Sequence, residues 1–113
     1  MTNLDLLLKA TRERKPISFE YNKPDKTPGI RIGNPHAVFI FTSKAGAKST
    51  KIHLVQTAWV SDSKDESPFP DFRMFNIEDL TNIEILTEME SFEPFSEKYN
   101  PNWEGYKDTL EKV

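Results

Sequence analysis

Asp71-Phe72-Arg73-Met74-Phe75-Asn76-Ile77-Glu78-Asp79-Leu80 is the run on which the fold reading turns, because it alternates as a strand does and sets an arginine two residues before a phenylalanine. Side chains of a strand point to opposite faces in turn. Arg73, Phe75 and Ile77 then share one face, while Phe72, Met74, Asn76 and Glu78 share the other. A guanidinium therefore projects from the side that carries core-type residues. Such an arginine packs its stem with its head in water, or meets a carboxylate or carbonyl inside the fold, or lines a pocket for an anionic ligand.

Outward from this run the chain reads as short strands parted by turn signals. Ile52 to Val60 has the β-branched and aromatic content of a central strand, with Ile52, Leu54 and Gln56 on one side and His53, Val55, Thr57 and Trp59 on the other. Ser61 to Asp71 is a polar excursion longer than an ordinary turn. Upstream, Thr42 to Lys51 reads as an exposed basic hairpin loop. His36 to Phe41 is almost continuously apolar, which predicts a strand covered on both faces, within a closed barrel or at a subunit contact. Ile30 to Gly33 begins that strand, and Asn34-Pro35 interrupts it, since proline lacks a ladder donor and belongs at an edge or bulge. Lys23 to Gly29 is a turn, and Ile17 to Asn22 alternates as a strand with one buried face.

Residues 3–14 are expected to form a helix capped by Asn3, with Leu4, Leu7, Leu8 and Thr11 on one face and Pro16 as its stop. Downstream, Asn82 to Leu86 supplies a last short strand. From Ser91 on, Phe92, Phe95, Tyr99, Trp103 and Tyr106 are spread among prolines and charges. This aromatic-anchored tail is expected over about 91–113, with a helical turn or two between Trp103 and Glu111, wrapping its own barrel or a partner chain. The expected whole is a single domain over 1–113, mainly β, a small barrel of five to six strands over about 17–87 with an N-terminal helix.

Composition narrows the function classes. There is no cysteine, so disulfides, thiolate metal sites and cysteine nucleophiles are excluded. The N-terminal run carries an acid where a signal peptide needs a basic flank, and Leu6-Leu7-Leu8 is far too short to span a bilayer, so a cytoplasmic protein without a membrane partner is expected. The net charge of −3 is unevenly placed: ten bases against four acids up to His53 leave +6, and five against fourteen thereafter leave −9. Either a basic surface faces a polyanion, or the two halves face one another.

The order of signals resembles the WYL domain family, small SH3-like or Sm-like β-barrels known as sensory modules of bacterial transcription and phage-defence regulators. The resemblance is carried by Ile17-x-Phe19-x-Tyr21, by Arg31-x-x-x-Pro35-His36, by Ile52-His53-Leu54 where the family's naming tripeptide falls, and by Arg73-x-Phe75-x-x-x-x-Leu80. It implies a nucleotide or single-stranded nucleic acid bound in a basic groove, with Arg31 and Arg73 on matching positions, and a free-standing module without the winged helix.

The residues themselves agree in kind. Tyr21, Arg31, His36, His53 and Arg73 are the candidate ligand-binding set, arginines for phosphate and rings for a base. Each histidine flanks apolar sequence and reads first as a satisfied core or edge residue, and only second as a ligand contact. No catalytic residue, cofactor or metal site is expected: two histidines lack a spaced carboxylate partner, no serine has a nucleophile-elbow context, and the four glycines form no phosphate loop. Two readings follow, a non-catalytic regulator that senses or sequesters its ligand, or a protein-interaction and assembly module using Ala37–Phe41 and the tail. A homodimer is expected in either case, and truncation after Ser91 is expected to abolish it under the second.

Overall fold

One long strand organises the molecule. In the computed structural model, which describes residues 2–21, 29–59, 71–95, 97 and 99–113, β2 (Ile30–Thr42) pairs along one edge with β3 (Lys48–Trp59). Its other edge is shared between two partners in succession. β1 (Ile17–Tyr21) takes Ile30 to Gly33, and β6 (Thr109–Lys112) takes Ala37 to Phe39. The changeover falls at Asn34-Pro35-His36, where the proline has no N–H to give a ladder. The β2–β3 register shifts there, from Pro35 opposite Leu54 to Ala37 opposite His53, leaving His36 as the extra residue of a bulge.

β4 (Asp71–Asn76) adds to β3, and β5 (Leu80–Ile85) adds to β1, giving one antiparallel six-stranded sheet of order β4-β3-β2-β1-β5 with β6 beside β2. The two end strands are consecutive in sequence, joined only by a 3-10 turn at Ile77–Asp79. Three such residues rise about 6 Å, so the sheet must coil until its two ends meet at this turn. No ladder joins β4 to β5 among the described residues. The run Asp71 to Leu80 is thus strand, turn and strand start rather than one strand, but its alternation holds where it is extended: Phe75 enters the main core and Phe72 packs on the opposite side.

Helix α1 (Asn3–Glu13) covers the main core, burying Leu7, Ala10 and Thr11. Its cap is Thr2 and not Asn3: the Thr2 hydroxyl accepts from the Asp5 N–H at 3.1 Å and the Asp5 carboxylate accepts from the Thr2 N–H at 3.2 Å. Those bonds hold the Asp5 carboxyl below its ordinary range. Asn3 instead donates to the Leu80 carbonyl at 3.1 Å, pinning the helix to β5. The main core joins Leu7 and Ala10 to Ile17, Phe19, Val38, Ile52, Leu54, Phe75, Leu80 and Ile83.

Two expectations for the ends of elements need correction. The basic loop is only residues 43–47, because Thr42 and Lys48 to Lys51 already pair in the hairpin. The tail after Trp103 forms one 3-10 turn (Glu104–Tyr106), within the turn or two expected, and then β6, a strand that was not expected. Backbone N–H and C=O groups on the edge of β2 beyond Pro35 need partners, and a helix cannot supply them. The turn over Lys23 to Gly29 and the excursion over Ser61 to Asp71 lie, save their last residues, outside the described residues.

Candidate functional site

The sheet separates the five candidate residues into two groups on opposite faces. Tyr21, Arg31 and Arg73 belong to the face that carries the main core. Arg31 lies opposite Phe19 in the β1–β2 ladder and is fully buried, its guanidinium carbon 5.4 Å from the Tyr21 ring centre and 5.8 Å from that of Phe75. Tyr21 and Phe75 meet edge to face at 4.7 Å, with Phe19 behind at 5.5 Å from Phe75. A guanidinium over aromatic faces gains from their quadrupoles, more so when desolvated. Arg73 is half-buried on β4 opposite Leu54, two residues from Phe75 and on its face. Gln56, the amide that alternation had placed beside Ile52 and Leu54, is buried on the same face. One end of an otherwise apolar core is therefore polar, with donors from β2, β3 and β4.

His36 and His53 face the other way, into a second cluster built by the tail over Ala37 and Phe39. His36 is fully buried, stacked on Phe92 at 5.1 Å and met by the edges of Tyr99 and Phe72. Both of its ring nitrogens are engaged. Nε2 accepts from the Phe95 N–H at 2.9 Å, so the proton resides on Nδ1, which donates to the Asn34 carbonyl at 2.8 Å. Burial pushes the His36 pKa down against the pull of the Asn34 bond, and the nearby Arg14 charge adds to the fall. The neutral ring ties the tail to the bulge in β2. This is the packing role, and it leaves the His36 ring nitrogens committed within the fold.

His53 is ringed by Phe39, Phe72, Trp103 and Tyr106, with centre distances of 4.9 to 5.4 Å. Its Nδ1 is 2.5 Å from the Tyr106 hydroxyl. Burial, then the neighbouring His36 and Lys51, lower its pKa from 6.5 to about 4. Burial raises the Tyr106 phenol above its ordinary value. Both partners are neutral near pH 7, as a bond between two desolvated groups requires. These tail aromatics are the residues that the candidate set omitted. The signal for them was present as five aromatics after Ser91 and two histidines beside apolar strands, but nothing in the linear order joined them.

The tail is clamped at several further points. The Val113 N–H bonds the His36 carbonyl at 2.9 Å, the Tyr99 hydroxyl donates to the Val113 carbonyl at 2.8 Å, and Phe92 donates to the Arg14 carbonyl at 2.8 Å. Arg12 and Glu111 make an exposed ion pair at 3.4 Å, so at this contact the basic and acidic halves of the chain face each other. The continuous apolar strand is covered on both faces as expected, and the cover on the second face is this same chain.

The larger grooves lined by described residues include one of about 470 Å³ between the β2–β3 hairpin and the 3-10 turn and one of about 490 Å³ over β1 and β5. None of the five candidate residues lines either groove. Among the described residues no three His, Asp or Glu side chains gather to hold a metal ion, and no helix is long and apolar enough to cross a membrane. No protein-family model, curated protein or solved structure matches this chain.

Proposed function

We propose that the chain is a non-catalytic, WYL-like sensory module on an SH3-like barrel, which binds a nucleotide or single-stranded nucleic acid at the polar end of its core. Two features support the barrel: the strand order β4-β3-β2-β1-β5, and the lone 3-10 turn through which the two end strands meet. The observation that carries the binding role is Arg31 held over Tyr21 and Phe75, with Arg73 on the same face. Arg31 orients the Tyr21 ring, and the half-buried Arg73 reaches the ligand's phosphate through its fork. Sequestering a nucleotide signal would need nothing more.

The assembly reading loses support, since Ala37–Phe41 and the aromatic tail pack against each other within one chain. Binding of labelled nucleoside phosphates and a short oligodeoxynucleotide, measured on wild type and Arg73→Gln, tests the proposal. A lost charge-assisted bond of about 1.5–3 kcal/mol weakens binding roughly 10- to 150-fold, with unchanged circular dichroism. Equal affinity in the two proteins, or no binding to either, refutes it.

A further inference from the structure

The β2–β3 hairpin outruns the sheet. β4 leaves β3 at Lys51, and β6 leaves β2 at Phe39, with one more tail bond from Ile40 N–H to the Asp108 carbonyl at 2.9 Å. The pairs Phe41–Ser49 and Thr42–Lys48 and the loop 43–47 have no third strand on either side among the described residues. What projects is a short two-stranded tip: Phe41 still packs on the tail cluster, and Thr42, Lys48 and the loop stand beyond it. This arm is closed by Ser43 N–H to the Ala47 carbonyl at 2.8 Å and Gly46 N–H to the Ser43 carbonyl at 2.9 Å. Gly46 stands at φ 86°, a conformation that glycine adopts without strain. At the base of the arm the Lys51 ammonium bonds the Asn76 amide oxygen at 2.6 Å and lies over the Phe41 ring.

The arm's composition is as particular as its shape. No Asp or Glu occurs anywhere from Lys26 to Ser61. Between Ser43 and Thr50 every residue other than Lys44 and Lys48 is Ala, Gly, Ser or Thr, and both lysines are exposed. Protein-docking surfaces are built on aromatic and arginine anchors, which this tip lacks. Lysines, hydroxyls and open backbone N–H groups are the donors that contact phosphates. The dimensions agree: two strands are about 4.8 Å apart, and the two pairs beyond Ile40 advance about 7 Å before the loop. With such small side chains the ribbon fits a major groove about 12 Å wide and 8.5 Å deep. Glu78 opposes this, since it shares the groove lined by Ile40, Ile77 and Lys48.

We propose that this arm is a second binding element, separate from the arginine end, which enters the major groove of double-stranded DNA with Lys44 and Lys48 on its phosphates. Fluorescence anisotropy with a labelled 20-base-pair duplex and its single strand, across a salt series, tests it on the whole chain. Two phosphate contacts give a log–log salt slope of about −2 on the duplex. Lys44→Ala/Lys48→Ala is expected to weaken duplex binding at least tenfold and flatten the slope. Glu78→Gln is expected to tighten it, and the lysine double variant to leave nucleoside-phosphate binding at the arginine end unchanged, which separates failure here from failure there. A slope near zero, an unchanged double variant, binding to the single strand alone, or binding to poly-glutamate in place of the duplex overturns the proposal.

Discussion

Replacing His53 by phenylalanine is expected to remove part of the acid sensitivity of the fold while costing some stability at neutral pH. The folded pKa of about 4 lies below the unfolded value of 6.5, so between these values the unfolded chain binds more protons than the folded one. Stability from the neutral ring is complete above the unfolded value and is lost as pH falls toward 4. From pH 7 to pH 5 the full shift corresponds to about 1.8 kcal/mol, which partial solvent access of the ring reduces to about 1 kcal/mol. His36, also held low, adds in the same direction in both proteins. Phenylalanine keeps the ring contacts with Phe39, Phe72 and Trp103 but leaves the Tyr106 hydroxyl unmatched, a loss of about 1 kcal/mol at pH 7. Urea unfolding followed by tryptophan fluorescence at the two pH values reads the difference. With an m-value of about 1.5 kcal/mol/M, the wild-type midpoint falls roughly 0.7 M further than the variant's. Equal shifts in the two proteins would show that His53 is not the group buried neutral at the tail interface.

Gly33→Ala is expected to destabilise by about 1–3 kcal/mol in the same assay, because an added Cβ would stand 2.7 Å from Leu54 Cδ1 and 3.1 Å from the Val55 carbonyl, and the carbonyl cannot yield. Deleting residues 99–113 removes Tyr99, Tyr106 and β6 together, baring Phe39 and the edge of β2; light scattering should find aggregate, and a folded soluble monomer would contradict the tail's role. Thr2→Ala removes the helix cap and is expected to cost about 1 kcal/mol by thermal unfolding.

Legibility differed sharply between elements. The strand cores, the N-terminal helix and the break at Pro35 were readable because each depends on short-range chemistry: alternation, helical spacing, and a missing donor. Element ends were not. Asn3 and Thr2 both have capping side chains, and only the approach of the Leu80 carbonyl decides which of them caps. Residues 104–112 have no strong preference of their own, and the open edge of β2 decides that they end as a strand. The candidate site was half legible: Arg31 and Tyr21 do meet, and Arg73 shares their face, but the histidines belong to the other side of the sheet.

By itself the sequence determined a mainly β protein with one helix, the absence of thiol chemistry, and an arginine aimed at core-type residues. These follow from side-chain type and from periods of two and 3.6 residues, which need no knowledge of distant neighbours. Only the tertiary structure decided that β6 returns to β2, that the tail's aromatics enclose His36 and His53, and that the hairpin tip stands clear of the sheet. Those depend on which backbone groups are left unpaired after the local elements form, a condition that exists only once strands far apart in sequence lie side by side.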